Sequence, residues 1–135
     1  MRKVANLSNV NTRATKLVPI QKDGKRKLLT KSALIIKDQS GYEIIPFHEI
    51  VRCEAESNYT NIVLTNGKVI LSSKSLKHIE NELPANLFIR VHKSHVVSIR
   101  EIRRISSDSF VELSNGNKIP VSRRKKSTIF SQLGI

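Results

Sequence analysis

From Ala33 to the C-terminus, apolar residues come in short stretches divided by polar turn clusters, the pattern of many short strands. The clusters are Gln39-Ser40-Gly41, Ser57-Asn58-Tyr59, Asn66-Gly67, Ser106-Ser107-Asp108 and Asn115-Gly116. Two of them predict hairpins. Asn66-Gly67 separates Ile62-Val63-Leu64 from Val69-Ile70-Leu71, and Asn115-Gly116 separates Phe110-Val111-Glu112-Leu113 from Lys118-Ile119-Pro120-Val121. Asn-Gly between such runs marks a tight turn, whose central residues are expected at positive φ. Ile and Val together number 27 against 17 for Leu and Ala, so the stock of core residues is β-branched. The expected fold is mainly β, with stacked sheets.

Two stretches break the strand pattern. Leu76, Ile79 and Leu83 recur at helical spacing over Ser75 to Leu83, with Pro84 as the stop and Glu80 and Glu82 turned to solvent. A second helix is predicted over Arg123 to Leu133, with Ser122 as its N-cap. Residues 1–32 show no periodicity and carry the charge run Lys22-Asp23-Gly24-Lys25-Arg26-Lys27, so they read as a flexible basic tail or linker ahead of a domain over 33–135. No internal repeat stands out.

The length of 135 residues fits one domain, and 39% apolar content is enough for a core. The longest apolar run, Ala33 to Ile36, is far short of the ~20 residues of a membrane span. Met1-Arg2-Lys3 is followed by no apolar leader segment. Cys53, the single cysteine, cannot form an internal disulfide and reads as a small buried apolar side chain. A cytoplasmic protein is expected, with no membrane partner.

Charge sharpens the picture. The chain carries +13, with a sequence pI near 10.3, which is the footprint of a protein that meets a polyanion. The distribution is uneven: residues 1–32 carry a net +8, residues 33–89 a net −2, and residues 90–135 a net +7. Catalytic patterns are missing. His48, His78, His92 and His95 have no metal-ligand spacing, and His92 and His95, three apart in a strand, are expected on opposite faces. The five glycines form no phosphate loop, and Glu54 and Glu56 read as a solvated strand edge. Neither an enzyme nor a cofactor or metal site is expected.

Ser122-Arg123-Arg124-Lys125-Lys126 is the exception to this blandness. Four cations in a first helical turn oppose the helix dipole, an arrangement that makes sense when an external anion sits there. Arg90, Lys93, Arg100, Arg103 and Arg104 add cations nearby in sequence. Single-strand binders stack bases on aromatic rings. Aromatics here are only 4%, Trp is absent, Phe88 and Phe110 fall on core phases, and Tyr59 is the one ring expected in a polar turn. A nucleic acid is thus the leading partner. The scarcity of aromatics disfavours single-stranded RNA but leaves it open. With no long basic helix to enter a groove, loops on a β scaffold would have to do the reading.

Three blocks carry a family likeness: Pro46 to Thr60 (PFHEIVRCEAESNYT), Phe88 to Val97 (FIRVHKSHVV) with Ile102 after it, and Ile119 to Arg123 (IPVSR), with Leu76, Glu80 and Leu83 between the first two. In this order and spacing the chain resembles the LytTR DNA-binding domain of bacterial response regulators. The resemblance implies an elongated stack of antiparallel β-sheets with one or two short helices, binding duplex DNA through inter-strand loops. It implies that four residues read bases: Asn58 and Tyr59 enter one major groove, Arg123 enters the next, and Lys93 lies between them near the minor groove. Arg forking onto guanine and Asn pairing with adenine fit that placement chemically. Arg90, His92, Ser94, Arg124, Lys125 and Lys126 are then expected to hold phosphates, which positions without specifying; for His92 a hydrogen bond inside the sheet is the alternative. Ser98 departs from the family, which usually has Asn there, and no receiver domain is visible ahead of residue 33. The expectation is a sequence-specific transcriptional regulator bound as tandem copies on direct repeats, with a homodimer on DNA. The rival is a small basic β-rich RNA-binding or ribosome-associated protein. A membrane-surface or protein-interaction module would need an amphipathic helix in residues 1–32, which the sequence does not show.

Overall fold

The computed structural model describes residues 32–135, of which Leu34–Ile135 form one compact unit. The basic tail expected over residues 1–32 lies outside the described residues, save for Ser32. The chain runs through β1 (Ala33–Asp38), β2 (Gly41–Pro46), β3 (Ile50–Glu56), β4 (Tyr59–Leu64), β5 (Val69–Ser72), α1 (Leu76–Glu82), β6 (Phe88–His92), β7 (His95–Ser98), β8 (Ile102–Ser106), β9 (Phe110–Leu113), β10 (Lys118–Pro120) and α2 (Lys126–Gln132). Three sheets result: a β1–β2 pair, a five-stranded sheet in the order β5-β4-β3-β7-β6, and a three-stranded sheet in the order β10-β9-β8. The pairings within the two larger sheets are antiparallel. The mainly β fold with few short helices is as the sequence predicts.

The five-stranded sheet separates two cores, because its inner strands are apolar on both faces. Adjacent residues split between them. Ile50, Phe88 and Val96 join Cys53, Ile62, Leu76 and Ile79 in the first core, which Leu34, Ile36 and Ile45 of the β1–β2 pair complete. Val51, Ile89 and Val97 join Val91, Val111, Leu113, Ile119, Val121 and Ile129 in the second. Phe47 and Phe88 meet edge-on in the first core, their centroids 6.1 Å apart. Cys53 is fully buried, and burial pushes its thiol pKa up to about 12, so it is an inert packing residue.

One construction occurs twice, a repeat not visible in the sequence pattern. A 3-10 turn (Phe47–Glu49; Ile99–Glu101) opens each copy. A bulged strand follows, with its register shift between Ile50 and Arg52 in one copy and between Ile102 and Arg104 in the other. Each copy closes on an Asn-Gly hairpin, and Thr65 N–H donates to Glu49 O (2.9 Å) as Ser114 N–H does to Glu101 O (2.8 Å). The hairpin turns match bond for bond. Gly67 N–H donates to Leu64 O and Gly116 N–H to Leu113 O, while Leu64 N–H reaches Lys68 O and Leu113 N–H reaches Asn117 O. Asn66 and Asn115 each accept from the backbone two residues on. Only the glycines have positive φ, +87° and +89°. The turns are therefore three-residue loops ending in a left-handed residue, and the expectation of positive φ at both central residues is corrected.

Both helices form where the apolar spacing places them. Ser75 Oγ caps α1 by accepting from His78 N–H at 3.2 Å. Its acids are not free in solvent: Glu80 pairs with Arg90, and Glu82 with His78 and Lys74. The second helix differs more. Arg123–Lys125 form a 3-10 turn, α2 starts only at Lys126, and Ser122 makes no side-chain cap bond. An α2 of seven residues has little stability of its own; buried Ile129 ties it to the second core.

Candidate nucleic-acid interface

Antiparallel pairing of β3 with β7 and of β7 with β6 makes the ends of β3 and β6 point the same way. Their loops, Ser57-Asn58 and Lys93-Ser94, are therefore neighbours, and Ala55 N–H donates to Ser94 O at 2.9 Å to join them. The end of β10 arrives beside β6, where Ser122 N–H donates to Val91 O at 2.8 Å. Asn58, Lys93 and Arg123, far apart in sequence, thus stand at one end of the fold. The β8–β9 loop lies there too, since Val121 N–H donates to Ser109 O at 2.9 Å.

Asn58, Tyr59, Lys93, Arg123 and Arg124 are exposed, while His92, Ser94, Lys125 and Lys126 are half-buried. Arg123, Arg124, Lys125 and Lys126 have no ion-pair partner among the described residues. Ser57 has φ of 58°, rare for a residue with a Cβ, and so fixes the hairpin tip that presents Asn58. Phe88 is core, as expected from sequence, whereas Phe110 is only half-buried, with Lys118 Nζ 5.1 Å from its ring centre.

Two expectations about titratable groups are corrected. His92 and His95 are not on opposite faces of one strand: a hairpin turn separates them, they pair across it, and their ring centroids are 5.6 Å apart. His92 Nδ1 accepts from Ser94 N–H at 3.1 Å, so the ring braces the loop and leaves Nε2 as the position for a proton. Glu54 and Glu56 do not form a solvated edge, because β3 is the central strand. Glu54 takes Arg52 Nη1 at 2.7 Å, and Glu56 takes Asn61 Nδ2 at 2.6 Å. Burial holds the His95 pKa below its ordinary value, with Arg52 and His92 adding to the shift and Glu54 opposing it.

Arg90 stands apart from the other cations. All three of its guanidinium nitrogens are engaged within the chain: Nε with His92 O at 2.7 Å, Nη2 with Lys93 O at 2.6 Å, and Nη1 with Glu80 Oε1 at 2.5 Å. Sequence reading had no signal for this, since Glu80 lies on a different element ten residues away.

A family model of the LytTr DNA-binding domain matches residues 40–134. The heme-containing CO-sensing transcriptional regulator RcoM 2 of Paraburkholderia xenovorans is 32% identical over 97 residues, covering 68% of this chain and 36% of that protein. The sensory transduction protein LytT of Enterococcus faecalis is 32% identical over 77 residues, covering 54% of this chain and 32% of that one. A solved LytTr DNA-binding domain from Bacillus cereus superimposes with a TM-score of 0.68 at 28% identity, covering 78% of this chain and 99% of that one. The chain spans about a third of the length of the curated relatives it matches.

Proposed function

The chain belongs to the LytTr DNA-binding domain family, and from that premise we propose that it reads duplex DNA with the loops at one end of its fold. Asn58 and Tyr59 enter one major groove, Arg123 enters the next on the same DNA face, and Lys93 lies between them near the minor groove. The observation that carries this is the pair of backbone bonds, Ala55 to Ser94 and Ser122 to Val91, that brings the three loops together. The chemistry follows from the side chains. The Arg123 fork suits guanine O6 and N7, and the Asn58 amide suits adenine N6 and N7. Arg124, Lys125, Lys126, Ser94 and the Nε2 of His92 supply phosphate contacts, which orient the protein without discriminating bases.

The protein acts as a bacterial transcriptional regulator in the cytoplasm, bound as tandem copies on direct repeats and pairing as a homodimer there. The names of the relatives support regulation of transcription and sensory transduction. Among the described residues no helix is long and apolar enough to cross a membrane. No observation favours the RNA-binding rival. The direct test is selection from a randomised duplex pool, followed by titration of the selected duplex at several salt concentrations. With about six phosphates neutralised, log K is expected to fall with log salt at a slope of roughly −5. A slope near zero, or equal affinity for single-stranded RNA of the same sequence, contradicts the proposal.

A further inference from the structure

The loop that carries Lys93 lacks the usual means of holding itself. Two-residue hairpin loops favour positive φ, which matches the twist of the flanking strands. Neither Lys93 nor Ser94 has positive φ, and neither is a glycine, asparagine or proline. The β6–β7 pairing also shifts register between Arg90 and His92.

Side chains hold the loop instead, His92 at Ser94 N–H and Arg90 at the carbonyls of the turn. Arg90 Nε and Nη2 donate to the carbonyls of His92 and Lys93, the two residues where the chain turns. The guanidinium is a rigid planar fork, so fixing one arm fixes the others. Glu80 on α1 fixes that arm through Nη1. The bond is part-buried: the Arg90 side chain keeps 19% of its exposure and the Glu80 side chain 37%. An acid beside a DNA-facing loop is otherwise unfavourable, since it repels phosphate. Holding the fork gives it a use.

We propose that Glu80 and Arg90 are positioning residues for sequence recognition. Glu80 orients the guanidinium, and Arg90 sets where Lys93 stands against the DNA, with neither side chain acting as a DNA contact. The inference rests on the assignment of Lys93 as a base-reading residue.

The test uses the full chain, the duplex obtained by selection and a scrambled duplex of equal length. Removing an acid by Glu80→Ala is expected, on charge alone, to raise affinity for both duplexes. Positioning predicts the opposite on the selected duplex: a loss of about tenfold, the scale of one weakened base contact, with no loss on the scrambled one. Arg90→Lys keeps the charge but cannot hold two carbonyls and a carboxylate, so it is expected to lose selectivity while the salt slope stays unchanged. In a Lys93→Ala background, Glu80→Ala is expected to cost no further selectivity, because the pair acts through Lys93. Circular dichroism of each variant separates loss of selectivity from loss of fold, and Glu80→Gln, which retains an acceptor for Nη1, is the milder variant should Glu80→Ala unfold. A gain on both duplexes in folded Glu80→Ala, or full selectivity in folded Arg90→Lys, overturns the proposal. If Lys93→Ala itself keeps full selectivity, the base-reading assignment falls first. If Lys93→Ala loses selectivity and Arg90→Lys does not, only the positioning role falls.

Discussion

At the scale of single residues, His95 shows what burial does to a titratable ring. Its Nδ1 is buried with no hydrogen-bond partner among the described residues, and burial depresses its pKa from the ordinary 6.5. The unfolded chain therefore binds a proton at His95 more readily than the folded chain does. Stability from this group is complete above about pH 6.5 and is lost as pH falls through the window below it. Denaturant titration at about pH 7.5 and about pH 5.5 is expected to show a larger drop for the native sequence than for His95→Gln, which has no ring to protonate. Equal drops in the two proteins contradict the argument. The residue types at the candidate interface were legible in the sequence, and the family likeness ordered them. What was not legible was which cations are free. Arg90 and Arg123 look alike in a string of letters, yet one is spent on two carbonyls and Glu80 while the other is exposed.

Elements were legible wherever a turn announces itself by composition. Asn66-Gly67 and Asn115-Gly116 set both predicted hairpins, since only a residue without a Cβ adopts φ near +90° without strain. The β6–β7 hairpin was missed because side chains of neighbouring strand residues make its turn, and turn composition says nothing about them. The 3-10 turns and bulges were missed for a similar reason, being set by packing between the two cores. The repeated construction yields a quantitative expectation. A Cβ added at Gly116 meets nothing within 4 Å, so Gly116→Ala is expected to cost about 1–2 kcal/mol from backbone strain alone. Ser109, at φ of 70°, closes a turn on Ser106 O as Gly67 and Gly116 do on Leu64 O and Leu113 O. Ser109→Gly is therefore expected to be neutral or stabilising by up to about 1 kcal/mol, the strain relieved being partly offset by the freedom glycine gains when unfolded. Thermal melts of the two variants check both signs, and a Gly116→Ala protein as stable as the native one contradicts the turn assignment.

At the scale of the molecule, the two cores act as a rigid frame with two unlike ends. One end holds the Asn-Gly turns braced by the 3-10 turns, and the other gathers Asn58, Lys93 and the basic turn that starts at Arg123. The acidic middle of the sequence supplies β3 and α1, and the basic C-terminal third supplies the turn that starts at Arg123. The frame makes a distinction between reading and holding testable. Arg123 opens the 3-10 turn that follows β10 after Val121 and Ser122, and it is exposed, whereas Lys126 opens α2 as a flexible point charge on a half-buried stem. The deciding measurement is the affinity of the native chain, Arg123→Ala and Lys126→Ala for selected and scrambled duplexes at several salt concentrations. Arg123→Ala is expected to cost about 1–3 kcal/mol on the selected duplex and to relax discrimination at one base pair. Lys126→Ala is expected to weaken both duplexes alike and to reduce the salt slope by about one unit. If Arg123→Ala loses the same energy on both duplexes, Arg123 holds a phosphate, and the claim that this end of the fold reads sequence through it is contradicted.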